Sequence, residues 1–335
     1  MKFRGKEFNE NVFEKYLRTL PSTKENSMIK NGLFNVVNKY KSKMSEQAGG
    51  YFVTEPIKGQ IGGTPVNYDG NTDIPVGNER PTYKQTKICY GRANAWGEYD
   101  FATEITGENF KAEANEVKEY WDGERQKTVL SILKGIFSMT GGVNGAFVEK
   151  HTFEAEGNLD ADSLNRASQK ALGDKKQALQ MMFTHSAVST NLEGLNLINF
   201  LKYTDAEGIE RDLTIGTYNG KLVVVDDDMP VEEDEAGALY TSYVFKKGFF
   251  EYEDLGVLVP SEVVRDAKTK GGKNELISRI REMIVPTLIS YKATNKISPE
   301  TADFENGANW ELVNDGNNVY VDDKLIPVVR IISRG

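Results

Sequence analysis

The chain has 335 residues, 39% of them hydrophobic, which is enough for one large or two medium domains with buried cores. Its net charge of −9 argues against a nucleic-acid reader whose affinity depends on neutralising phosphates. The single cysteine, Cys89, excludes an internal disulfide and a cysteine-based metal cluster within the chain, and it is expected to pack as a small apolar group. The sequence contains no run of about 18 apolar residues, which a membrane span would need, and no apolar segment near its start of the kind found in secretory signals. Synthesis in the cytoplasm is therefore expected.

The first 48 residues differ in charge from the rest. Ten Lys/Arg against five Asp/Glu give this segment +5, so the other residues together carry −14. Its short helix-like patches are broken by Pro21 and Gly32 and hold too little apolar surface for a domain. The sequence therefore predicts an extended basic arm over 1–48 that contacts something anionic, such as neighbouring copies of the acidic body.

Residues 49–97 are rich in Gly, Pro and Asn. Short β-branched runs alternate there with turn signals such as YDGN at 68–71, which predicts a β-hairpin with little core of its own. A hairpin of about 50 residues would be an aggregation hazard if left bare, so it is expected to lie on another surface.

A long helix is predicted next, with Thr106 or Asn109 as its N-cap and Gly141-Gly142 at its end. Its apolar positions recur at helical spacing: Phe110, Ala114, Val117, Trp121, Val129, Ile132, Leu133, Ile136 and Phe137. About 30 helical residues span roughly 45 Å, which is longer than a small domain is wide. Gly123 and Gly135 inside the helix predict either a bend or close packing.

A mixed α/β region is predicted after this helix. The expected helices lie at about 161–173 and 186–201, and the expected strands at 178–184, 211–217, 221–226, 239–246, 318–322 and 325–333. The stretch KNELISRIREMIV at 273–285 stays open between a helix, which its apolar spacing fits, and strands, which its β-branched content and Pro286 favour.

The stretch KLVVVDDDMPVEEDE at 221–235 places seven carboxylates after an apolar run. A metal-dependent hydrolase using Asp226–Asp228 is one hypothesis, but adjacent carboxylates on a strand point to alternate faces and do not converge on one ion. We favour a buried strand that ends in an Asp-rich turn whose side chains accept from local N–H groups, followed by a solvated loop through Glu235. No catalytic, cofactor-binding or metal-binding residue is predicted.

The histidines, His151 and His185, do not suggest a catalytic triad. His185-Ser186 are neighbours in sequence, which is the wrong geometry for a base and its nucleophile, and Ser186 is the better N-cap of the next helix. The lysines at 268, 270 and 273 are expected to form a solvated or inter-subunit charge cluster. Core packing is the expected role of the three tryptophans, Trp96, Trp121 and Trp310.

The run ANAWGEYDFATEITGENFKAEANEVKEYWDGERQKTVLSILKGIFSM resembles the tailed-phage major capsid proteins of the Hong Kong 97-like fold. The matching features are Thr106-Gly107, Tyr120-Trp121 and LKGIF at 133–137. Three further blocks fit in the same order: MMFTHSAVSTNLEGLNLINF, GKLVVVDDDMPV, and VVRDAKTKGGKNELISRIREMIVP running into SPETADFENGANWELV. The resemblance covers about 50–335. One departure is Val285-Pro286, where related proteins often carry His-Pro, and no chemistry is known to us to rest on that histidine.

The resemblance implies an α+β fold with an N-terminal arm, an extended β-hairpin (the E-loop), a long spine helix, and peripheral and axial domains. The implied parts are the arm at 1–48, the E-loop hairpin at 49–105, the peripheral domain with its spine helix at 106–159, the axial domain at 160–255, the return strands of the peripheral domain at 256–299 and the C-terminal strands at 300–335. The coreless arm and hairpin fit this expectation independently, because neighbours in a closed assembly would complete their apolar faces.

The function implied is that of a non-enzymatic shell subunit. It would assemble with itself as pentamers and hexamers into an icosahedral head that encloses double-stranded DNA, in the cytoplasm of a bacterial host and then in the virion. Further expected partners are portal and decoration proteins and, since no long coiled-coil segment precedes the arm, a scaffold that is separate or already removed. The alternatives are an encapsulin-like nanocompartment of the same fold and, in a different class, the metal-dependent hydrolase using Asp226–Asp228.

Overall fold

The structure, a computed structural model, describes residues 2–3, 6–7, 32–46, 50–74, 80–100, 110–204, 210–235 and 237–335. The predicted caps Thr106 and Asn109, the Thr106-Gly107 turn and most of the arm before Gly32 lie outside these residues. No helix in the described part of the chain is long and apolar enough to cross a membrane.

The described helices include one that is much longer than the rest. They are α1 (Tyr40–Glu46), α2 (Phe110–Ile136), α3 (Gly142–His151), α4 (Ser163–Leu172), α5 (Ser186–Gly194) and α6 (Thr301–Glu305). Short 3₁₀ turns lie at Gly173–Ala178, Thr269–Gly271, Gly307–Asn309 and Asp323–Leu325. The long helix α2 confirms the predicted spine, and Trp121, Ile132, Leu133 and Ile136 on its apolar face are buried.

The described strands are mostly short. They are β1 (Lys2–Phe3), β2 (Lys6–Glu7), β3 (Phe34–Val36), β4 (Phe52–Lys58), β5 (Thr82–Ile88), β6 (Tyr90–Tyr99), β7 (Thr152–Asn158), β8 (Met181–Thr184), β9 (Ile198–Thr204), β10 (Glu210–Tyr218), β11 (Lys221–Val225), β12 (Val231–Asp234), β13 (Gly237–Phe245), β14 (Phe250–Asp254), β15 (Ser261–Asp266), β16 (Lys273–Pro286), β17 (Ile289–Tyr291), β18 (Trp310–Leu312) and β19 (Val328–Arg334).

The largest sheet has eight strands in the order β7-β19-β13-β8-β11-β10-β9, with β12 paired to β13. Strands β8 and β11 run parallel, as do β7 and β19. Along β8, Met181 and Phe183 join the core that contains α2, whereas Met182 joins the core that contains α4 and α5. The alternation of side chains along each strand therefore places this sheet between the spine helix and the two short helices.

A second sheet has five strands and is built around β16. Strand β6 pairs with β16 over ten residues, from Tyr99 opposite Lys273 to Tyr90 opposite Glu282, and β15 and β14 share the other edge of β16. Strand β3 completes the sheet by pairing parallel to β14. The stretch left open between helix and strand is thus one long strand, because it has partners on both edges.

Three predictions of local structure are wrong. The helix predicted over 186–201 ends at Gly194, where Asn196 has a positive φ of 53° and the N–H of Leu197 donates to Leu192 O at 2.9 Å, the pattern of a left-handed helix C-terminus. The predicted strand 318–322 is a loop instead, in which Asp315 accepts from the amides of Asn317 and Val319. The acidic residues 232–234, predicted as a loop, lie in the exposed strand β12. Helix α3 and strand β7 were not predicted.

The prediction that the arm and hairpin lack a core is also wrong in part. Leu33, Tyr40 and Met44 of the arm are buried within their own chain, as are Val53 and Ile88 at the base of the hairpin. Strand β6, which falls mostly within the predicted hairpin at 49–97, belongs instead to the five-stranded sheet. Only the stretch between β4 and β5 keeps the expected character, and its described residues are exposed or nearly so.

The close-packing alternative for Gly135 is confirmed. A Cβ built on Gly135 would lie 1.9 Å from Phe304 O and 2.6 Å from Trp310 Nε1, whereas a Cβ on Gly123 would meet nothing within 4 Å. A Cβ on Gly307 would likewise lie 2.0 Å from Ser138 O. The end of the spine helix is thus in backbone contact with the segment that carries α6.

Candidate functional site

A buried group of charges joins the arm, the hairpin and the five-stranded sheet. We call it the arm joint and define it by seven residues from four elements: Lys39, Tyr40, Lys43, Glu55, Lys87, Glu251 and Glu253. Three lysines and three glutamates balance one another, so the joint carries no net charge at neutral pH. Burial of these charged groups is tolerable because hydrogen bonds compensate it: Glu55 and Glu251 each pair with lysines, and Glu253 accepts from backbone amides.

Lys87 of β5 is the centre of the arm joint. Its side chain is only 4% exposed. Its Nζ donates to Tyr40 Oη at 2.6 Å, to Glu55 Oε2 at 2.6 Å and to Glu251 Oε2 at 3.2 Å. All three donor positions of the ammonium are therefore used, each toward a different element.

Glu253 of β14 holds the start of α1. Its carboxylate accepts from the backbone N–H groups of Lys39, Tyr40 and Lys41 at 2.9, 2.7 and 3.0 Å. These amides have no partner within the helix, so a carboxylate from another element caps α1 and adds a favourable charge at its positive end. The helix of the arm is thereby fixed to β14.

The joint perturbs the acidity of its members. Burial opposes ionisation of Glu55, but hydrogen bonds from Lys43 and Lys87 outweigh it and lower the pKa of Glu55 to about 2. The pKa of Glu251 is lowered in the same way, against burial, by its contacts with Tyr40 and Lys87. Burial and the neighbouring Glu251 raise the pKa of Tyr40 well above its ordinary value. The carboxylates of Glu55 and Glu251 therefore stay ionised at mildly acidic pH.

A second buried charge, Glu282 of β16, ties the spine helix to the same sheet. Its carboxylate accepts from Arg125 Nε and Nη2 at 2.8 and 2.6 Å, from Tyr90 Oη at 3.1 Å and from Tyr252 Oη at 3.0 Å. Burial disfavours the charge of Arg125, but Glu282 outweighs this and raises the pKa of the guanidinium. Nearby, Trp121 Nε1 donates to Ser278 Oγ at 2.9 Å, so the helix has a second polar contact with β16.

The acidic turn after β11 uses its carboxylates for structure. Asp226 Oδ2 and Asp228 Oδ2 both accept from Gln126 Nε2 of the spine helix, at 2.7 and 2.9 Å. Asp227 points elsewhere and accepts from the N–H of Ser186 at the start of α5, and this contact lowers the pKa of Asp227. The predicted local capping is seen at Asp226, whose Oδ1 accepts from the N–H of Asp228 at 3.0 Å. Sequence reasoning missed Gln126 as their shared partner, because a single glutamine on a helix carries no signal of a contact 100 residues away.

His185 and Ser186 differ from prediction in one respect. His185, not Ser186, is the N-cap of α5, since His185 Nδ1 accepts from the N–H of Ala187 at 3.1 Å. Ser186 Oγ lies 3.5 Å from that same nitrogen, and His185 Nε2 lies 3.7 Å from Asp227 Oδ1. The ring nitrogen nearest the hydroxyl is thus already engaged by a backbone amide, which is a helix start and not an activated nucleophile.

His151, the other histidine, is buried at the end of α3. Its Nδ1 lies 2.7 Å from Val328 O, and because a carbonyl only accepts, Nδ1 carries the proton. Burial lowers the pKa of His151 to about 4, against the opposing effect of that hydrogen bond. Its ring packs on Phe147 with centroids 4.2 Å apart, so the side chain belongs to the core.

Comparison with known proteins identifies this architecture. The chain is 32% identical to the major capsid protein of Bacillus phage SPP1 over 234 residues, which is 69% of each chain. The chain belongs to the phage major capsid protein family. No protein-family model matches it.

Among solved structures, the capsid asymmetric unit of cyanophage Pam1 superposes with a TM-score of 0.56 at 10% identity, covering 94% of this chain and 93% of that one. The head structure of Helicobacter pylori bacteriophage KHP40 gives 0.54 at 10% identity with the same coverage. The α+β, Hong Kong 97-like fold implied by the resemblance is confirmed.

In this capsid protein the largest exposed apolar side chains lie outside the charged contacts. Between β4 and β5, Ile61, Tyr68 and Ile74 are 81%, 90% and 76% exposed, and between β14 and β15 Leu258 is 99% exposed. The turn beside Tyr68 is well ordered, because Asp69 accepts from the amides of Asn71 and Thr72 at 2.8 and 2.7 Å. The loop between β4 and β5 thus exposes three large apolar side chains over a short stretch of chain.

The capsid protein's remaining predicted residues have structural surroundings. Trp121 and Trp310 are buried and Trp96 is partly buried against Trp121, which confirms core packing. Cys89 packs in a small apolar cluster beside Met283 and Val285, as predicted. Of the lysines at 268, 270 and 273, Lys270 and Lys273 both lie over the ring of Tyr99, and Lys273 also pairs with Glu275.

Proposed function

We propose that this major capsid protein assembles with itself, as pentamers and hexamers, into a closed icosahedral shell around double-stranded DNA. The observation that carries the proposal is the loop between β4 and β5, which holds Ile61, Tyr68 and Ile74 away from the body of its own chain. Burying such side chains is worth roughly 1.5–3 kcal/mol each, and a second copy of the chain is the partner that a shell supplies in every position. Many contacts of this kind sum to a stable shell.

The role we propose is structural and not enzymatic. Asp226 and Asp228, the carboxylates of the hydrolase hypothesis, share one amide donor of Gln126, and Asp227 faces the start of α5. These contacts favour a turn that fastens β11 to the spine helix and to α5. In this proposal the shell encloses DNA without recognising its sequence. The further proposed partners are a separate scaffold, a portal and decoration proteins. Synthesis and assembly take place in the cytoplasm of the bacterial host.

We also propose that the chain divides as the resemblance implies, from the arm at 1–48 to the C-terminal strands at 300–335. The eight-stranded sheet supplies the proposed axial domain at 160–255, with β7 and β19 added at one edge. The five-stranded sheet, with α2 lying against it, supplies the proposed peripheral domain and its return strands at 256–299, and it also takes in β14 from the end of the 160–255 segment. The proposed E-loop at 49–105 then consists of an outer loop, the pair β4–β5 and a strand, β6, shared with the peripheral domain.

The experiment replaces residues 60–80 by Asn-Gly. The N–H of Gly59 donates to Pro81 O at 2.8 Å, so the two residues that flank the excision are already paired across the hairpin. A two-residue turn can therefore join them. We expect the variant to keep the circular dichroism and unfolding midpoint of the wild type while losing the closed shells seen by negative-stain microscopy. A matched variant of full length, with Ile61, Tyr68 and Ile74 changed to Ser, should lose shells as well. Closed shells from both variants, or a wild type that stays monomeric at every concentration, would contradict the proposal.

A further inference from the structure

Strand β4 depends on the arm for its place in the molecule. In the described chain β4 and β5 form a two-stranded sheet, in which β5 also bridges to Asn314 of the body whereas β4 pairs with β5 alone. Its one fully buried side chain, Val53, packs in a small apolar cluster to which the arm contributes Tyr40 and Met44. The apolar contact that holds β4 against the body is therefore made in large part by α1.

The polar contacts of β4 lead to the same helix. Glu55, in the middle of β4, pairs with Lys43 of α1 and lies 3.8 Å from Lys39 Nζ, in addition to its 2.6 Å contact with Lys87 of β5. Tyr40 completes the link, since its hydroxyl accepts from Lys87 and donates to Glu251 of β14. One side chain of the arm thus connects the hairpin to the five-stranded sheet.

Strand β5, in contrast, has its own attachments to the body. The N–H of Lys84 donates to Asn314 O at 2.8 Å, and the N–H of Thr86 donates to Ser290 Oγ at 3.3 Å. Gln85 is buried, and its side-chain amide donates to Pro286 O and Ile289 O, both at 3.0 Å. None of these contacts involves the arm. Strand β5 therefore has attachments to the body in addition to its own contact with the arm, which Lys87 makes with Tyr40.

We propose that α1 is a clip that holds β4 on β5, so that displacement of the arm releases β4 while β5 stays attached. Because β4 and β5 together form the base from which the outer loop leaves the body, the docked arm sets the direction of that loop. The clip is a property of the single chain. The consequence of the clip for assembly rests on the proposed function. The clip itself is tested separately, because the measurement uses the unassembled protein.

The test is hydrogen exchange resolved to single amides in the unassembled full-length chain. Tyr40→Ala removes the central side chain of the clip, and Glu55→Gln weakens its charge contacts without leaving a cavity. Lys41→Ala is the matched control, since Lys41 lies in α1 with an exposed side chain and its contact with Glu253 is made by its backbone. We expect the amides of β4 to exchange about tenfold faster or more in the first two variants and at the wild-type rate in the control.

The amides of Lys84 and Thr86 serve as an internal reference, because they bond to the body and not to β4. They should keep their wild-type exchange rates, as should the amides of β8 and β13. Unchanged exchange of β4 in Tyr40→Ala would overturn the proposal. So would equal acceleration of β4 and β13 in both variants, because the arm would then support the whole fold and not this strand.

Discussion

Two glycines in the spine helix predict opposite responses to the same substitution. Changing Gly to Ala inside a helix removes backbone freedom from the unfolded chain and by itself stabilises by about 0.5–1 kcal/mol. At Gly123 a Cβ meets nothing within 4 Å, so Gly123→Ala should gain this amount. At Gly135 the new atom would fall 1.9 Å from Phe304 O, which is far inside any permitted contact.

The cost at Gly135 has two parts. Phe304 O is backbone and accepts from Trp310 Nε1 at 2.7 Å, so the methyl group cannot be accommodated by rotating a flexible side chain. Overpacking of this kind costs about 1–3 kcal/mol, and weakening a buried hydrogen bond adds roughly 1 kcal/mol or more. After subtracting the helix gain, Gly135→Ala should lose about 1–3.5 kcal/mol.

Urea unfolding of the unassembled chain, followed by circular dichroism, measures both variants under the same conditions. The midpoint should rise for Gly123→Ala and fall for Gly135→Ala, with the same dependence on urea, so that the shift reports stability alone. If both substitutions raised the midpoint, the end of the spine helix would not be packed against α6 and Trp310 as described.

Further predictions concern the core, pH and the acidic turn. Trp121→Ala should destabilise the chain by about 3–5 kcal/mol because it removes a buried aromatic side chain and leaves a cavity. Tyr120→Ala, at a half-exposed neighbour, should cost much less. Equal urea midpoints for the two variants would show that the helix faces are misassigned. The pKa of His151 is about 4 in the folded chain and 6.5 for the free side chain, so between these pH values the unfolded chain binds a proton that the folded chain does not. The free energy of unfolding should therefore fall as pH drops from 6.5 to 4. The loss should approach about 3 kcal/mol, and His151→Gln should flatten that slope in urea titrations at successive pH values; an unchanged slope would assign the acid sensitivity to other groups. Changing Asp226, Asp227 and Asp228 together to Asn should lower the unfolding midpoint without altering calcium or manganese binding by calorimetry, and a divalent ion coordinated by two of these carboxylates in a refined structure would refute the structural role.

Local patterns in the sequence determined the elements that carry their own signal. Apolar residues at helical spacing are enough to predict α2, and the face they mark is the buried one. The short, mostly apolar runs of β8, β11 and β13 can be recognised in the sequence for the same reason. A strand that is covered on both faces is mostly apolar along its length. The Asp-rich turn was predictable because aspartates accept from nearby amides wherever a strand ends.

Other features depended on partners distant in the chain. Whether 273–285 is helix or strand was decided by β6, a segment far earlier in the chain that pairs with it from Lys273 to Glu282. The arm looked coreless because the residues that bury Tyr40 come from β5 and β14, and no local count of apolar side chains includes them. A lysine such as Lys87 is expected at the surface from sequence alone, yet this one is buried because two carboxylates and a tyrosine hydroxyl accept hydrogen bonds from it. Propensity and periodicity are properties of neighbours in sequence, whereas burial and pairing are properties of neighbours in space, and only the folded chain brings the second kind together.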